Sequence, residues 1–289
     1  MKRLKMALLA IVMCCLSVTA QTITPCKGVA PDGYNFWLST PSTGDTNTPK
    51  PLVVFLHGSS LCGNDLNRVM RYGSMAAVKK GLNIDAYVIA PQNPGGSWKP
   101  AKVMADIEWV EKNYKVDKNR IYVLGMSLGG YGTIDMAAAY PHRIAAAMAL
   151  CGGGTSKTLE NLNEVPLWIV HGLADNRVSI AKSDKVVDRM KAADPETPRL
   201  QYDRVPGMNH GTPARFFYMP DTYRWLMAHS LTDEDRPICA TFPITKELLR
   251  TAYQSLRDDR SLITPHPTID AVGDLLHAPG TRTPISVTL

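Results

Sequence analysis

The chain has 289 residues, of which 45% are hydrophobic and 20% are charged, and its formal net charge is +6. These are ordinary values for a globular protein that buries a large core, and they predict one main domain with an appendage. Lys and Arg residues do not cluster among aromatic residues, so the modest positive charge argues against a nucleic-acid partner.

The first twenty residues predict a secretory signal peptide. The basic stretch MKRLK is followed by the apolar run MALLAIVMCCLSV and by small residues that place cleavage after Ala20. This run is shorter than the roughly 18 to 20 residues of a membrane-spanning helix, and no other stretch approaches that length. We therefore expect an exported protein, periplasmic or secreted, without a stable membrane span. A lipid anchor on Cys14 or Cys15 is the minor alternative, because Met13 stands where a small residue is expected.

Four cysteines remain after such a cleavage, and their pairing is open. They are Cys26, Cys62, Cys151 and Cys239. Four cysteines in an oxidising compartment allow three pairings, and the sequence does not choose among them. Their spacing does not match a zinc site. Cys151 ends an apolar run, which favours a small buried core residue over a reactive thiol.

Strand-like and helix-like patterns alternate along the chain from about residue 34. The patterns predict an antiparallel edge strand at 34–40 and six further strands at 51–57, 86–91, 120–125, 144–151, 166–172 and 200–205. Helices are predicted at 102–114, 132–140, 180–192 and 217–231, the last starting near Asp221. Four of the strands are almost continuously apolar, which is typical of parallel strands covered on both faces. The predicted fold class is therefore α/β, a mostly parallel sheet with helices on both faces.

The alternation stops at about residue 232, which divides the mature chain into a main domain at 21–231 and a C-terminal appendage at 232–289. The last thirty residues contain four prolines and predict an irregular tail. One amphipathic helix is predicted at 245–256, with Thr245 as its N-cap and with Leu248, Leu249, Tyr253 and Leu256 on one face.

The stretch YVLGMSLGGYG, residues 122–132, carries the most specific motif of the chain. Ser127 lies between Gly125 and Gly129, directly after a predicted strand and before a predicted helix. A tight strand-to-helix turn forces its central residue into strained backbone angles and projects the side chain above the sheet edge, while the glycines permit close backbone approach. This context predicts that Ser127 is a nucleophile and not an ordinary loop serine.

A serine nucleophile needs two partners, because its hydroxyl is weakly reactive near neutral pH. An imidazole must take the proton, and a carboxylate must orient the imidazole. In a sheet of this type the expected chain order is Ser, then Asp or Glu, then His, each beyond the C-terminal end of a strand. Asp175 follows the strand at 166–172, and His210 follows the strand at 200–205. Both are therefore predicted to complete a catalytic triad with Ser127.

Other acids and histidines fit these positions less well. Asp184 and Asp188 lie on a helix pattern, where they are expected to be solvated charges. Asp203 lies inside a strand and is expected to point across the sheet. His171 closes a strand and is expected to bond a backbone group. The remaining histidines follow helix patterns or lie in the tail; they are His142, His229, His266 and His277.

The negative charge that develops in acyl transfer needs two backbone donors. The N–H of Leu128, directly after the nucleophile, is expected to be one. The N–H of Ser59, after the His-Gly turn at 57–58, is expected to be the second, with Ser60 as the alternative. The competing interpretation is that this turn only terminates a strand. Trp98 follows another strand, where it either lines the substrate pocket or serves in packing, and the sequence favours neither.

These residues resemble the α/β-hydrolase superfamily, and within it the branch of secreted esterases and predicted peptidases related to feruloyl and acetyl xylan esterases and to polyhydroxybutyrate depolymerases. The resemblance implies a serine-dependent acyl hydrolase without a metal or organic cofactor. The chain departs from the family pattern in two pocket-shaping loops, SSLCG and GTPARFFYMP, and its residues 232–289 show no family pattern. The matching pieces cover most of residues 34–230 in order and read VVFLHGSS with GNDL, VIAPQNPGGSW, VDKNRIYVLGMSLGGYGTIDMAAAYP, MALCGGG, PLWIVHGLADNRV and VPGMNHG.

The sequence therefore predicts an exported serine carboxylic-ester hydrolase that works through an acyl-enzyme. By resemblance, the substrate is a small-molecule or polysaccharide-linked ester, with an acetyl or feruloyl group on a carbohydrate. A serine peptidase of the same fold and an acyltransferase are the alternatives among enzymes. A non-catalytic binding module is the alternative from another class, although the complete Ser, Asp, His order argues against it. The sequence leaves the oligomeric state open.

Overall fold

The structure, a computed structural model, describes residues 21–42, 47–253 and 256. The predicted signal peptide at 1–20 and the tail beyond residue 256 lie outside the described residues, so both stay predictions. In the part that is described, no helix combines the length and the apolar character needed to cross a membrane.

The strands of the described residues form one eight-stranded sheet. In chain order they are β1 (Ile23–Cys26), β2 (Phe36–Ser39), β3 (Lys50–Leu56), β4 (Tyr87–Pro91), β5 (Val116–Met126), β6 (Ala146–Leu150), β7 (Leu167–Gly172) and β8 (Leu200–Val205). The spatial order is β1-β2-β4-β3-β5-β6-β7-β8. β2 pairs antiparallel with both β1 and β4, and every pair from β4 to β8 is parallel. The predicted α/β class, with its mostly parallel sheet and antiparallel edge strand, is confirmed.

Helices cover both faces of this sheet. In chain order they are α1 (Ser74–Lys79), α2 (Pro100–Asn113), α3 (Leu128–Ala139), α4 (Ala181–Ala193), α5 (Pro220–Met227) and α6 (Lys246–Arg250). Most buried apolar residues of α2, α3 and α4 belong to one cluster, and those of α1, α5 and α6 belong to a second. The two clusters are the core of the molecule, one on each side of the sheet.

Strand β3 shows why the segments that form the parallel strands are apolar at nearly every position. Val53 and Phe55 point into the cluster that includes α1, α5 and α6, whereas Leu52, Val54 and Leu56 point into the cluster that includes α2, α3 and α4. Successive side chains of a strand alternate between faces, so a strand covered on both faces must be apolar at every position.

Among its strands and α-helices, the structure adds two elements that the sequence patterns did not indicate, β1 and α1. β1 contains Pro25 and has two exposed residues among its four, so no alternation of apolar residues marks it. α1 has only six residues, which is shorter than a periodic pattern can reveal. The last two helices are shorter than expected: α5 ends at Met227, and α6 ends at Arg250. The predicted N-cap of α6 is confirmed, since the Thr245 hydroxyl accepts the N–H of Leu248 at 3.0 Å.

The described part of the predicted appendage packs on the main body. The ring of Phe242 lies 4.8 Å from the ring of Trp168 in β7. The guanidinium of Arg236 donates to the carbonyl of Ile144 at 2.6 Å, and the guanidinium of Arg215 donates to the carbonyl of Leu249 at 2.9 Å. Residues 232–253 and 256 therefore contribute to one of the two apolar clusters, while the domain boundary at 231 stays a prediction.

The direction in which successive strands are added to the sheet reverses between β3 and β5. From β3 it passes to β4 on one side, and β5 then returns to the other side of β3. In open α/β sheets, ligands bind beyond the carboxyl ends of the strands at such a reversal. The residues that follow β3, β5, β6, β7 and β8 therefore share the edge of the sheet where a site is expected.

Candidate active site

Ser127 occupies the turn between β5 and α3. Its backbone angles are φ 58° and ψ −122°, which place a non-glycine residue in a left-handed, strained conformation. The turn is fixed by two backbone hydrogen bonds: the Ser127 N–H donates to the carbonyl of Leu150 at 2.9 Å, and the Ser127 carbonyl accepts the N–H of Tyr131 at 3.0 Å. The predicted sharp strand-to-helix turn is thus present in the structure.

The flanking glycines permit this turn because no side chain fits at either position. A β-carbon on Gly129 would overlap the carbonyl oxygen of Leu56 at the end of β3, and one on Gly125 would overlap the carbonyl of Gly129. The backbone of α3 therefore starts in direct contact with the end of β3. This approach brings Ser127 next to the turn that follows β3.

His210 lies between Ser127 and Asp175. Its Nε2 is 3.0 Å from the Ser127 hydroxyl oxygen, and its Nδ1 is 2.7 Å from Asp175 Oδ2. Both distances are those of hydrogen bonds, so the three side chains form a continuous chain. The sequence predicted these residues at the ends of different strands, and the fold brings all three together.

Asp175 is fixed from both sides of its carboxylate. Oδ1 accepts the backbone N–H groups of Arg177 and Val178 at 2.8 and 2.9 Å, while Oδ2 faces His210. His171 approaches the same oxygen, with its Nε2 3.5 Å away. Burial disfavours the charged carboxylate, but the bonds from His171 and His210 outweigh burial and set the pKa of Asp175 well below its ordinary value. Asp175 is therefore an ionised acceptor that these hydrogen bonds hold in place.

The environment of His210 favours its protonated form. Burial lowers the pKa of the imidazole, but the neighbouring Cys151 and the Asp175 carboxylate outweigh burial and raise the pKa above the ordinary imidazole value. A raised pKa makes the neutral ring a stronger base toward a hydroxyl proton. It also requires that the ring lose its own proton before it can accept one.

The turn after β3 lies beside Ser127. A β-carbon on Gly58 would lie 3.6 Å from the Ser127 β-carbon, which places the 57–58 turn against the nucleophile position. The Gly58 N–H donates to the hydroxyl of Tyr72 at 2.9 Å, and burial raises the pKa of Tyr72 to about 12, so this hydroxyl stays protonated. Ser59 then begins a short 3₁₀ helix at 59–61. Leu128 and Ser59 are each the first residue of a helix, where a backbone N–H has no partner within the helix.

His57 determines the orientation of the peptide between Gly58 and Ser59. Its Nε2 accepts the N–H of Asn93 at 3.0 Å, and its Nδ1 lies 2.7 Å from the carbonyl oxygen of Gly58. Burial lowers the pKa of His57 to about 4, so the ring is neutral at neutral pH. Because Nε2 accepts, the single ring proton is on Nδ1 and donates to Gly58. Carbonyl and N–H of a trans peptide point in opposite directions, so this bond also orients the Ser59 N–H.

Trp98 lies behind this turn and not on an open surface. Its side chain is 3% exposed, and its indole N–H donates to the carbonyl of His57 at 3.2 Å. The indole ring packs edge-on against Tyr34 and against His57, with ring centres 5.3 and 4.9 Å apart. Of the two alternatives for Trp98, this geometry favours packing beneath the turn over direct contact with a substrate.

The competing acids and histidines have structural partners. Asp203 accepts the indole N–H of Trp168 across the sheet at 2.6 Å, and His171 Nε2 lies 3.0 Å from the carbonyl of Val178, as expected for both. Asp184 accepts the hydroxyl of Tyr202 at 2.7 Å, so it is paired and not simply solvated.

Sequence reasoning missed the side chains of His57, Tyr72 and Asn93, which support the turn, and the position of Cys151. The sequence indicates where two of these residues lie in the fold but not what their side chains contact. His57 and Cys151 each follow a strand that ends at the same edge as β5, but which way their side chains point is not readable from the sequence. Among the described residues, the four cysteines Cys26, Cys62, Cys151 and Cys239 are free.

Comparison with known proteins finds the α/β-hydrolase fold, with hydrolases among the proteins that this chain resembles. Residues 92–215 match the model of the Dienelactone hydrolase family, a segment that contains Ser127, Asp175 and His210. Poly(3-hydroxyalkanoate) depolymerase C of Paucimonas lemoignei is 27% identical over 155 residues, which are 47% of this chain and 36% of that protein. The chain therefore matches little more than a third of the length of this relative.

Solved structures of esterases share the fold. A thermostable esterase superimposes with a TM-score of 0.60 and 25% identity, over 73% of this chain and 63% of the other. An acetyl xylan esterase from Aspergillus awamori superimposes with a TM-score of 0.53 and 17% identity, over 65% of this chain and 94% of the other. The second likeness concerns the fold alone.

Proposed function

We propose that this chain, a hydrolase of the α/β-hydrolase fold, is a serine carboxylic-ester hydrolase that uses Ser127, His210 and Asp175. The observation that carries the proposal is the hydrogen-bonded chain from the Ser127 hydroxyl through His210 to Asp175, with distances of 3.0 and 2.7 Å. A nucleophile, a base and an orienting carboxylate within hydrogen-bond reach of one another are what acyl transfer from an ester requires.

The proposed reaction has two halves. The Ser127 oxygen attacks the ester carbonyl carbon while His210 Nε2 takes the hydroxyl proton, and Asp175 stabilises the imidazolium that forms. The tetrahedral intermediate breaks its bond to the alcohol, which leaves with the proton from His210. Water then gives its proton to His210 and attacks the acyl-enzyme, and Ser127 recovers the proton as the acid departs. Atoms balance as one ester and one water giving one acid and one alcohol.

The backbone N–H groups of Leu128 and Ser59 are the proposed donors to the oxyanion. Leu128 begins α3 directly after the nucleophile, and Ser59 follows the turn that contacts Ser127. The hydrogen bond from His57 to the Gly58 carbonyl orients the peptide that carries the Ser59 N–H. Donors fixed before the reaction stabilise the developing charge without reorganising.

The proposed substrates are acyl esters of carbohydrates, acetyl or feruloyl, encountered outside the cell after export. This part of the proposal rests on the family resemblance of the sequence. The loops at 59–66, 92–98 and 211–220 lie at the end of the sheet that carries Ser127, and the chain departs from the family pattern in SSLCG (59–63) and GTPARFFYMP (211–220). The choice between acetyl and feruloyl groups therefore depends on these loops.

The test is labelling by a fluorophosphonate probe, combined with turnover of p-nitrophenyl esters, feruloylated sugars, acetylated sugars and peptide amides. Ser127→Ala should abolish labelling and reduce ester turnover by about 10⁶-fold, the loss seen when a nucleophilic serine is removed from a triad. Ser230→Ala is the matched control. Its hydroxyl lies 3.4 Å from the carbonyl of Asn119, near the start of β5 and at the opposite end of that strand from Ser127.

The outcomes separate the alternatives. Labelling and turnover lost in Ser127→Ala and retained in Ser230→Ala support the proposal. Persistent labelling in Ser127→Ala removes this residue as the nucleophile. Faster cleavage of amides than of esters would identify a peptidase instead, and a wild-type protein that neither reacts with the probe nor turns over any substrate would identify a binding module.

A further inference from the structure

A thiol lies beside the proposed triad, at a position that the mechanism does not use. Cys151 follows β6, is fully buried, and adopts φ 39°, a left-handed angle that is unusual for a residue other than glycine. Its N–H donates to the carbonyl of Val170 at 2.8 Å. This backbone hydrogen bond ties Cys151 to β7 at the carboxyl end of the sheet.

Three potential metal ligands of different chemistry meet at this point. One ligand atom each from Cys151, Asp175 and His210 lies within 4.8 Å of the other two. The side chain of Asp175 is fully buried and that of His210 is 14% exposed, so the cluster opens to solvent on the histidine side. In the part of the chain that the structure describes, no other group of three such residues meets this criterion.

The separations suit a small tetrahedral ion. Zinc bonds sulfur at about 2.3 Å and nitrogen or oxygen at about 2.0 to 2.2 Å, so ligand atoms around tetrahedral zinc lie roughly 3.3 to 3.6 Å apart. The ligand atoms of the three residues, which lie within 4.8 Å of one another, are therefore close to the separations of a zinc site. Thiolate, imidazole and carboxylate are also the three donor types that protein zinc sites use.

We propose that Cys151, His210 and Asp175 form an inhibitory site for a thiophilic divalent cation, Zn²⁺ or Cd²⁺. The Cys151 thiol loses its proton to solvent and bonds the cation as thiolate, with a nitrogen of His210 and an oxygen of Asp175 as the other ligands. Water or the Ser127 hydroxyl takes the fourth position. No oxidation or reduction occurs: Cys151 releases its thiol proton, and a protonated His210 ring releases a second proton to solvent before it bonds the cation.

Such binding stops the proposed reaction whichever nitrogen of His210 is used. A cation on Nε2 occupies the lone pair that would take the Ser127 proton, and a cation on Nδ1 displaces the hydrogen bond to Asp175. The binding site depends only on the three side chains, whereas inhibition rests on the proposed function. A metal bound here is therefore an inhibitor and not a cofactor.

Direct binding of Cd²⁺ tests the site without an activity assay. Cadmium added to the metal-free, reduced protein should produce the ultraviolet charge-transfer absorption of a cadmium–thiolate bond. The absorption that corresponds to one bound Cd²⁺ per protein should be absent in Cys151→Ser. The difference between the wild type and Cys151→Ser cancels contributions from the other cysteines. Because loss of a second-shell partner alone weakens metal binding about 10- to 100-fold, loss of the thiolate should weaken it by about 100-fold or more.

Matched variants complete this experiment. Ser127→Ala should still bind Cd²⁺, and Cys62→Ser should lose no absorption that depends on Cys151. His210→Ala should weaken binding while Cys151 is still present. A Cys151→Ser protein that binds Cd²⁺ with the wild-type affinity and absorption overturns the proposed site, as does a wild type without any cadmium–thiolate absorption.

Inhibition is measured separately on an ester that the wild type hydrolyses. Zn²⁺ should inhibit the wild type, a chelator should restore its activity, and the concentration for half-inhibition should rise by about 100-fold or more in Cys151→Ser. Cadmium binding in a wild type that hydrolyses no ester supports the metal site while the proposed function fails. An active enzyme that binds Cd²⁺ through Cys151 but is not inhibited by either ion overturns the inhibitory role.

Discussion

The imidazole of His210 lies between a hydroxyl and a carboxylate, so its protonation state determines the pH dependence expected of the site. Burial lowers the pKa of His210, and Cys151 and Asp175 raise it by more, which leaves the net shift upward. The ring accepts the Ser127 proton only when it is neutral. We therefore expect kcat/KM to increase with pH as the ring of the free enzyme loses its proton.

Replacement of Asp175 by Asn tests this interpretation. The change removes a charge that stabilises the imidazolium, so the rising part of the kcat/KM profile should move to lower pH. The amide also favours the wrong tautomer of His210, and kcat should fall by about 10⁴-fold, as in a serine protease with this substitution. The measurement is ester hydrolysis over the pH range in which both proteins stay folded. Asp188→Asn, an exposed change on α4, should alter neither value. An unshifted profile with full activity would remove Asp175 from the triad.

His57 is expected to act as a positioning residue, because it orients the peptide that carries the Ser59 N–H. His57→Phe keeps a ring against Trp98 but removes the bonds to Gly58 and Asn93. Loss of one oxyanion donor costs about 10²- to 10³-fold in kcat, so a misoriented donor should cost up to that amount. The effect should appear in kcat with little change in KM, because the donor acts in the transition state. His142→Phe, at an exposed position, is the control. An unchanged kcat in a folded His57→Phe protein contradicts this role.

Helix α3 is the element that positions Ser127, the proposed nucleophile. It starts at Leu128, directly after the strained Ser127, and its first turn contacts the carboxyl end of β3 through Gly129. Buried apolar residues of α3 such as Ile134 and Met136 pack in the cluster that also contains residues of α2 and α4. Displacement of this helix by even a small distance would therefore move the Ser127 hydroxyl relative to His210.

Gly129→Ala measures how strictly this contact is required. The added methyl group overlaps the Leu56 carbonyl oxygen, which belongs to a strand and has no room to yield. Overpacking of this kind costs about 1 to 3 kcal/mol of unfolding free energy, and the shift of α3 should reduce kcat as well. Urea unfolding and ester hydrolysis provide the two readouts. Ala139→Ser, exposed at the end of the same helix, should change stability by less than about 0.5 kcal/mol. A fully active and stable Gly129→Ala protein would show that the contact is not required.

The buried carboxyl of Asp106 makes the free energy of unfolding of the whole protein depend on pH. Asp106 on α2 is fully buried, and its Oδ1 accepts the N–H of Tyr34 at 2.8 Å. The hydroxyl of Tyr34 in turn accepts the N–H of Lys99 at 3.1 Å, so this contact joins the segment before β2 to the start of α2. Burial raises the pKa of Asp106 to about 8. The folded protein therefore retains a proton on Asp106 that the unfolded chain loses at about pH 4.

The difference in the Asp106 pKa between the folded and unfolded states determines the direction in which stability changes with pH. Between about pH 4 and pH 8 the folded state binds more protons at Asp106 than the unfolded state, so the free energy of unfolding falls as pH rises, by at most about 1.4 kcal/mol per pH unit. Asp106→Asn removes the ionisable group. Its stability relative to the wild type should increase across this window, measured by urea unfolding at several pH values. Glu108→Gln, exposed on the same helix, should leave the wild-type slope unchanged. Parallel curves for wild type and Asp106→Asn contradict the buried-proton interpretation.

Much of the fold followed from local sequence patterns. Continuous apolar runs such as the one in β3 predict buried parallel strands because both faces of the strand must be apolar, and this prediction is confirmed. β1 was missed because its pairing with β2, and not its own residue pattern, makes it a strand. The helix predicted at 245–256 ends at Arg250 in the structure. The prediction extended it to residue 256 because Tyr253 and Leu256 continue the apolar pattern, and both pack in the core beyond the end of the helix.

The sequence alone predicts the proposed triad in its chain order: a serine between glycines after a strand, then Asp175, then His210. These features are readable because a strand-to-helix turn is local and parallel strands end at a common edge. Where side chains point from that edge is visible only in the folded protein. The tertiary structure directs Trp98 beneath a turn, His57 onto the Gly58 carbonyl, and Cys151 toward Asp175 and His210. Side-chain direction depends on backbone angles and on packing between elements far apart in the chain, and neither is recorded in residue spacing.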